Sequence, residues 1–368
     1  MRALRFHGPK DLRVEQLERP RPQPGQVLIG VEWCGICGTD LHEFLAGPIF
    51  IPSVDRPHPL TGEVPPVVMG HEFAGTVVEV AEGVADVALG DVVAVEPLLR
   101  CDSCAQCRAG RYNICESGGV YGLAGWGGGL AEYCAVDRRN VHVLPPGMSA
   151  EVGALIEPLA VAWHAMTRSG FRPGQAALVI GAGPIGLALV LCLKAAGARW
   201  IGVSEPAVAR RAMATSFGAD EVFDPRCDDV VRRARAAVEG VGPHVSFDAS
   251  GLPATLNSAL AAVRPTGTAF NVAIWEDSAP VDMALLLGGE RTLRSGLCYA
   301  GDYPAVIAAL ADGRIDPASM ITARIALADV VELGFSELVN NKDRHIKILV
   351  QPGAAAGAHD TRPSIVAN

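Results

Sequence analysis

The feature that most constrains this chain is a glycine-rich turn between an apolar strand and a helix. The segment VIGAGPIGL follows the apolar run AAL and carries Gly181, Gly183 and Gly186. A first glycine permits a tight turn, a second lets a pyrophosphate approach the backbone, and a third allows the helix to pack closely on the strand. The candidate residues for binding a dinucleotide pyrophosphate are therefore Gly181, Gly183, Ile185 and Gly186.

The second strand of the same unit supports this interpretation and favours NAD. The strand RWIGVS is followed by Glu205, near the spacing of about 20 residues at which a carboxylate accepts hydrogen bonds from the adenosine ribose. A carboxylate there would also repel the 2′-phosphate of NADP. Arg210 and Arg211 lie close by and temper the preference, since an arginine could receive that phosphate. A glycine-rich turn without a ligand is the alternative, and the complete strand–helix–strand context argues against it.

The pattern of apolar and polar residues along the chain predicts two kinds of structure. Up to about residue 150 it is rich in glycine and proline, with short apolar runs such as QVLIGVEW and GTVVEV that predict irregular, mostly antiparallel β structure. Further on, apolar strands alternate with helices such as PIGLALVLCLKAAG, which begins at Pro184 and ends at Gly197. This alternation predicts a parallel sheet with helices on its faces. The later strand candidates are EVFD, VSFDAS, TAFNVAI and TLRSGLCY.

We predict an α/β protein of two domains, because 368 residues are about twice a typical domain. A mostly β domain over 1–154 is completed by 300–352, where a helix, a loop, a second helix and the strand HIKILV follow one another. A dinucleotide-binding domain with a doubly wound parallel sheet covers 155–299. The tail 353–368 is small and polar, and we expect it to be mobile.

Charge, hydropathy and cysteine content exclude several classes of function. The formal net charge of −9 argues against nucleic-acid or anionic-membrane binding, because those surfaces need a concentrated positive patch. The chain has no apolar run of about 18 residues, so no membrane span is expected, and MRALRFHGPKDL lacks the apolar segment of a signal peptide. Ten cysteines in such a chain indicate the reducing cytoplasm, where thiols serve as metal ligands or core residues.

A cluster of cysteines predicts a structural metal site. The segment CDSCAQCRAGRYNIC places four cysteines within fifteen residues: Cys101, Cys104, Cys107 and Cys115. Four thiolates can close a tetrahedral shell around one zinc, and a filled shell has no position for substrate. An iron–sulfur cluster and reduced core cysteines are the alternatives, although the proline that follows the last cysteine of bacterial ferredoxin runs is missing here.

A second group of residues has the composition of a catalytic metal site. The segment WCGICGTDLH contains Cys34 and Cys37, which could be a thioredoxin-like redox pair, half of a zinc knuckle, or the source of one catalytic ligand. GHEFAG offers His71 and Glu72, and LIEPLAVAWHA offers Glu157. Cys37, His71 and one glutamate make three protein ligands, which leaves a position open for a substrate oxygen. Each residue alone is weak evidence, and only the combination carries weight.

Together these motifs resemble the medium-chain, zinc-dependent alcohol/polyol dehydrogenase family. In that family a C-G-x-C-G-T-D-x-H segment, a G-H-E segment, a four-cysteine loop and a G-x-G-P-x-G turn occur in this order, and the similarity covers about residues 1–352. The resemblance implies a GroES-like catalytic domain built from both ends of the chain around a central Rossmann domain. It also implies NAD and two zinc ions per chain, one catalytic and one structural.

The resemblance also implies roles for individual residues. Cys37, the second cysteine of its pair, would bind the catalytic zinc, which removes the thioredoxin interpretation. Asp40 resembles the carboxylate that orients the zinc-bound histidine, here His71. Thr39 and His42 resemble the proton relay of the family. Zinc would act as a Lewis acid that lowers the pKa of the substrate alcohol, so that hydride leaves for the nicotinamide while the proton travels out separately.

Within the family, three segments look most like butanediol (acetoin-reducing) dehydrogenases: GPIFIPSVDRPHPLTGEVPPVVMGHEFAG, YGLAGWGGGLAEYC and ELGFSELVNNKDRHIKILV. The expected substrate is a small diol or hydroxyketone, 2,3-butanediol or acetoin, and the alternative is another polyol such as sorbitol, or threonine. Dimers and tetramers are usual in the family, so a homo-oligomer is expected. A zinc-dependent interaction module or a non-catalytic dinucleotide-binding regulator is the alternative of another class, which the open metal shell disfavours.

Overall fold

The computed structural model describes residues 1–275 and 278–353. The described residues form two compact units, one of 1–157 and 318–353 and one of 158–317. The sequence prediction places the corresponding changes after 154 and 299. Of the tail 353–368, which the sequence predicts to be mobile, all but Gly353 lies outside the described residues. Among the described residues, none of the helices has the length and apolar character needed to cross a membrane.

The first unit is mostly β structure, in agreement with its glycine-rich and proline-rich sequence. Short 3-10 turns cover Tyr112–Ile114 and Arg138–Asn140. The elements up to Gly153 are β1 (Arg2–Gly8), β2 (Asp11–Gln16), β3 (Gln26–Gly35), α1 (Gly38–Ala46), β4 (Val67–Val68), β5 (Glu72–Val80), β6 (Val92–Val95), β7 (Leu98–Leu99), α2 (Ala105–Arg108), β8 (Gly119–Val120), β9 (Tyr133–Asp137), β10 (Val141–Val143) and α3 (Ala150–Gly153).

The second unit has the predicted alternation of strands and helices. Its sheet has the order β13-β12-β11-β14-β15-β16, and every neighbouring pair is parallel. This is the doubly wound order that places a dinucleotide at the carboxyl ends of the central strands. The elements are α4 (Ile156–Ser169), β11 (Ala176–Ile180), α5 (Pro184–Ala195), β12 (Trp200–Ser204), α6 (Val208–Ser216), β13 (Glu221–Phe223), α7 (Val230–Ala237), β14 (Val245–Asp248), α8 (Pro253–Ala262), β15 (Thr268–Asn271), α9 (Met283–Leu287), β16 (Thr292–Ser295) and α10 (Tyr303–Ala311).

The end of the chain returns to the sheet of the first unit. It contains β17 (Ile321–Ala326), α11 (Glu337–Asn340) and β18 (Lys347–Gln351). The strand β18 lies between β3 and β17 in the order β10-β6-β5-β3-β18-β17, so both ends of the chain meet in one sheet. The sequence predicts β18 but leaves β17 as a loop, which is wrong. The segment ITARIA alternates apolar and polar residues from Ile321 to Ile325, so a strand signal is present, but the run is short and two of its six residues are alanine, which is depleted in strands.

Two apolar cores hold the functional segments in place. In the first unit the core includes Phe6, Phe73 and Phe335, all at most 1% exposed. In the second, β11 is buried throughout and α5 buries an unbroken run of residues from Gly186 to Leu193. A helix that is apolar around its circumference must be enclosed by protein. The glycine-rich turn between β11 and α5 is therefore held by two buried elements. The predicted α/β class, with a mostly β GroES-like unit and a doubly wound parallel sheet, is confirmed.

Candidate metal centres and cofactor site

The first candidate metal ligand, Cys37, lies at the start of a short helix. Cys37 is the N-cap of α1, and its backbone N–H donates a hydrogen bond to Asp40 Oδ2 at 2.9 Å. The Sγ atom of Cys37 lies 3.7 Å from Thr39 Oγ1. Asp40 is fully buried, whereas Thr39 and His42 on the same helix are half-buried. The local turn therefore fixes the thiol, and Asp40 is part of that turn.

Asp40 also faces the second candidate ligand, His71, which directly precedes β5. Its Nδ1 atom lies 3.3 Å from Asp40 Oδ1, but the pair does not meet hydrogen-bond geometry, so both atoms are buried without an aligned partner. Burial alone would lower the pKa of His71, but the charges of Asp40 and Cys37 outweigh it and raise that pKa well above the ordinary value. With Nδ1 toward the carboxylate, Nε2 is the ring nitrogen left for a metal.

Cys37, His71 and Glu72 form a compact group of ligand atoms. One atom from each lies within 4.8 Å of the other two. His71 is 5% exposed and Glu72 1%, while Cys37 is half-buried. Sulfur, imidazole nitrogen and carboxylate oxygen are the donors that zinc takes in proteins, and three of them leave one position of a tetrahedral shell open. The residues present therefore fit a catalytic zinc ion.

A buried lysine, which no sequence motif indicates, completes this group. Lys347 Nζ lies 2.6 Å from both carboxylate oxygens of Glu72 and donates to the carbonyl oxygen of Ile36 at 3.2 Å. Burial acts to lower the pKa of Lys347, but the negative charges of Glu72 and Cys37 raise it. A Cβ at Gly35 would overlap Glu72 Oε2, so the strand approaches the carboxylate as only glycine can. A lysine within the apolar run HIKILV was the available clue, since buried lysines are almost always paired.

Glu157, the other predicted carboxylate, has a different place. It is the second residue of α4 and is 7% exposed. Among the described residues, its carboxylate does not join the group of mutually close ligand atoms that Cys37, His71 and Glu72 form. Its charge nevertheless contributes to raising the pKa of Lys347, so it belongs to the same charged neighbourhood.

The four clustered cysteines form a second group of ligand atoms, and neighbouring backbone groups point at their sulfurs. The four Sγ atoms lie within 4.8 Å of one another. N–H groups of Cys101, Cys104 and Cys107 donate to Cys115 Sγ, Cys101 Sγ and Cys104 Sγ at 3.3, 3.3 and 3.4 Å. Donors from Ser103 and from the Cys104 backbone lower the pKa of Cys101 to about 6. Burial and the neighbouring cysteines raise the pKa of Cys107 to about 12, so the backbone donors favour a thiolate at Cys101 but not at every cysteine. Four sulfurs this close together fit one ion, whereas an iron–sulfur cluster spreads its cysteines over several irons.

A buried carboxylate anchors this loop to the sheet. Glu96, which is 4% exposed, accepts hydrogen bonds from Tyr112 Oη at 2.5 Å and faces His142 Nε2 at 2.9 Å. Tyr112 lies between the third and fourth cysteines, while Glu96 and His142 flank or belong to the paired strands β6 and β10. Glu96 and His142 lie outside every local motif, and Tyr112 lies inside the four-cysteine segment without taking part in its cysteine spacing, so the sequence does not indicate this anchor.

The glycine-rich turn has the geometry that a pyrophosphate requires. Gly181 has φ +95°, a conformation that side-chain-bearing residues rarely adopt. A Cβ at Gly186 would collide with the carbonyl oxygen of Gly181, so helix and strand pack as closely as predicted. A Cβ at Gly183 would meet no protein atom within 4 Å, which leaves that side of the turn open to a ligand. The turn also forms the N-terminus of α5, where orphan N–H groups favour an anion.

Glu205 ties this turn to the end of the next strand. Its Oε2 accepts a hydrogen bond from Ala182 N at 2.8 Å, and its Oε1 accepts one from Ala207 N at 2.9 Å. A carboxylate offers about four acceptor sites, so further ones remain for ribose hydroxyls. Ile185 is the second residue of α5, and Arg210 is the third residue of α6 and half-buried. The structure thus brings the predicted cofactor residues to one end of the parallel sheet.

Comparison with known proteins decides the family. Residues 23–146 match the model described as alcohol dehydrogenase GroES-like domain, and residues 184–312 match the model described as zinc-binding dehydrogenase. The (R,R)-butanediol dehydrogenase of Bacillus subtilis (strain 168) is 44% identical over 352 residues, which cover 96% of this chain and 100% of that protein. The chain belongs to the medium-chain, zinc-dependent alcohol dehydrogenase family. The resemblance inferred from the motifs is confirmed.

Other relatives of this dehydrogenase agree in sequence and structure. The (R,R)-butanediol dehydrogenase of Neisseria gonorrhoeae (strain ATCC 700825 / FA 1090) is 41% identical over 353 residues, which cover 96% of this chain and 99% of that protein. The crystal structure of 2R,3R-butanediol dehydrogenase from Bacillus subtilis superimposes with a TM-score of 0.90 at 43% identity, covering 96% of this chain and 99% of that chain. This dehydrogenase is an NAD-dependent oxidoreductase of small alcohols that uses zinc, and it has two groups of zinc-ligand type.

Proposed function

We propose that this dehydrogenase interconverts (R,R)-2,3-butanediol and acetoin with NAD. The observation that carries the proposal is the similarity to two (R,R)-butanediol dehydrogenases along almost the whole chain, at 44% and 41% identity. The open group of three metal ligands supports it, because oxidation of a secondary alcohol needs a free position for the substrate oxygen.

Three residues are proposed to hold the catalytic zinc: Cys37, His71 and Glu72. When bound, zinc supplies a Lewis acid for the substrate oxygen, and NAD accepts the hydride. Lys347 holds both oxygens of Glu72 and so tempers the negative charge that this ligand brings to the metal. Glu157 is proposed as the second carboxylate within reach of the metal or of its water. The thiol and the imidazole are then the permanent ligands, and the two glutamates are the exchangeable ones.

The residues around these ligands are proposed to orient them and to move the proton. Asp40 faces His71 Nδ1 at 3.3 Å and holds the ring with Nε2 toward the ligand group. The Thr39 hydroxyl lies next to Cys37 Sγ, and we propose that it accepts the proton of the substrate alcohol. His42 lies three residues further along the same helix, and an imidazole ring can both accept and donate a proton, so it is proposed to pass the proton toward solvent.

The cofactor and the second zinc are assigned to the remaining predicted residues. We propose that Gly181, Gly183, Ile185 and Gly186 bind the pyrophosphate of NAD, and that Glu205 and Arg210 bind the adenosine ribose. The four clustered cysteines are proposed to hold a structural zinc whose shell is closed. Thiolates at ligand distance persist in a reducing compartment, so a cytoplasmic location is proposed, together with a homo-oligomer, dimer or tetramer.

The test is a comparison of substrates at saturating NAD. The three stereoisomers of 2,3-butanediol, sorbitol, xylitol and threonine would each be assayed for kcat/KM, and acetoin for the reverse reaction with NADH. We expect the (R,R) isomer to exceed sorbitol and threonine by at least tenfold, which corresponds to about 1.4 kcal/mol of transition-state binding. A higher kcat/KM for sorbitol or threonine would assign the enzyme to the alternative polyol or threonine class.

A further inference from the structure

A second carboxylate lies at the adenosine end of the cofactor site, and the proposed function does not use it. Asp224 follows β13 directly, as Glu205 follows β12. The two strands are parallel neighbours with Ser204 opposite Phe223, and Glu205 N donates to the carbonyl oxygen of Phe223 at 3.0 Å. Asp224 and Glu205 therefore leave the sheet side by side at its carboxyl edge.

The carboxylate of Asp224 binds two guanidinium groups. Arg226 donates from Nε to Oδ1 at 2.9 Å and from Nη2 to Oδ2 at 2.6 Å, which is the bidentate arrangement. Arg211 Nη2 lies 3.2 Å from the same Oδ2. The side chains of Asp224 and Arg211 are 15% and 16% exposed, so water screens their interaction less than that of a surface pair, whereas Arg226 is 64% exposed.

Both arginines also donate to the backbone beside Glu205. Arg211 Nη1 donates to the carbonyl oxygens of Glu205 and Pro206 at 2.6 and 2.7 Å. Arg226 Nη2 donates to the carbonyl oxygen of Pro206 at 2.7 Å. Both guanidinium groups therefore lie next to the residue proposed to bind the ribose, where an arginine in NADP-dependent relatives of this fold receives the 2′-phosphate.

From this arrangement we propose that Asp224 is a specificity residue, which engages Arg211 and Arg226 so that the adenosine site rejects the 2′-phosphate of NADP. The inference rests on the proposed assignment of Glu205 to the ribose. It adds a physical reason for a preference for NAD, because Asp224 engages Arg211, which the sequence alone leaves as a residue that could receive the 2′-phosphate.

The physical reason has two parts that act in the same direction. The hydrogen bonds from Arg226 hold the pKa of Asp224 well below its ordinary value, so the carboxylate is charged throughout the neutral range. A charged carboxylate repels the dianionic phosphate, and it also occupies the donors that the phosphate would need. Replacement by asparagine removes the charge and keeps the size of the side chain.

The test is D224N, assayed with NAD and NADP. We expect the ratio of kcat/KM for NADP to that for NAD to rise about tenfold. This change corresponds to the free energy of about one charge-assisted hydrogen bond. The affinities for NADPH and NADH, measured by nicotinamide fluorescence without alcohol, should shift in the same direction, toward NADPH. D224N/R211A should lose most of the gain, because one of the released guanidinium groups is then missing.

A matched control is E239Q, which also removes one carboxylate from an arginine pair of the same unit. Glu239 pairs with Arg199 at 3.0 Å, just before the amino end of β12. This variant should leave the cofactor ratio unchanged. If the wild type binds NADH but D224N leaves the ratio of kcat/KM for NADP to that for NAD unchanged, the inference about Asp224 is wrong and the proposed cofactor site still stands. A wild-type enzyme that fails to bind NADH would overturn the proposed cofactor site and the inference with it.

Discussion

The two groups of metal ligands in the first unit are built in opposite ways. The cysteine group takes all its ligands from residues 101–115, its thiols are half-buried, and its sulfurs accept hydrogen bonds from N–H groups a few residues away. The other group takes Cys37 from the start of α1 and His71 and Glu72 from the start of β5. Lys347 reaches it from β18 at the far end of the chain.

This difference shows which site depends on the whole fold. The cysteine group is a local loop that could bind an ion whenever its four thiols are free. The other group requires β18 to pair with β3, where Leu349 lies opposite Gly35, because only that pairing places Lys347 beside Glu72. A buried carboxylate without this partner would carry an uncompensated charge. We therefore expect changes in the four clustered cysteines to affect stability and changes in the ligands Cys37, His71 and Glu72 to affect chemistry. Loss of Lys347 should also affect stability, because it leaves the buried carboxylate of Glu72 unpaired.

The largest effect is expected from C37S. Removal of the thiolate weakens the anchor of the catalytic zinc, and several kcal/mol of transition-state stabilisation correspond to a loss of kcat on the order of 10³-fold. NADH fluorescence should still report binding, because Cys37 lies outside the unit that contains the glycine-rich turn. C34A is the matched control, since Cys34 is a buried thiol whose pKa is raised by desolvation. Half of the wild-type kcat in C37S would refute the ligand assignment.

A change in the local group is expected to separate stability from chemistry. C104S should reduce zinc content from two ions to one per chain and lower Tm by on the order of 10 °C, because a closed zinc shell contributes folding free energy. The kcat of the protein that remains folded should stay within about twofold of the wild type. Zinc content by mass spectrometry and calorimetry provide the two readouts. A folded variant with unchanged Tm would contradict a structural role for this ion.

A third change tests the long-range part of the comparison. K347M removes the partner of a buried carboxylate, which should lower the free energy of unfolding by about 3–5 kcal/mol. The double variant E72Q/K347M should recover part of this loss, since neither charge then remains buried. Urea unfolding of both singles and the double gives the coupling free energy. If the free energy of unfolding of K347M lies within about 1 kcal/mol of the wild-type value, another group must compensate the charge of Glu72 in solution.

The smallest effect is expected where the cysteine loop meets the sheet. Y112F removes the hydrogen bond to Glu96 but leaves all four cysteines in place, so the free energy of unfolding should fall by about 1 kcal/mol. Zinc content should remain two ions per chain, and kcat should not change. Loss of one zinc in Y112F would mean that zinc binding by the cysteine loop depends on the contact with the sheet. The cysteine group would then not be a purely local site.

Most of the fold could be predicted because its evidence is local. The glycine-rich turn, the helix from Pro184 and the parallel strands each carry their own periodicity or turn residues. The strand β17 is not predicted, although ITARIA alternates from Ile321 to Ile325, because the run is short and contains two alanines, which are depleted in strands. The metal sites likewise could be predicted only where their evidence is local. Spacing alone indicated the four cysteines, whereas Lys347 and the anchor formed by Glu96 and Tyr112 join residues far apart in the chain.

The sequence by itself determined the family, the α/β class, NAD and zinc as cofactors, and the residue types available for each site. Only the tertiary structure decided that Glu72 is bound by Lys347, that Glu205 ties the glycine-rich turn to the next strand, and that Asp224 engages both arginines beside it. The physical reason is that local motifs depend on backbone geometry within a few residues. The charge at a buried site depends on which distant strands pair beside it, and composition and spacing do not contain that information.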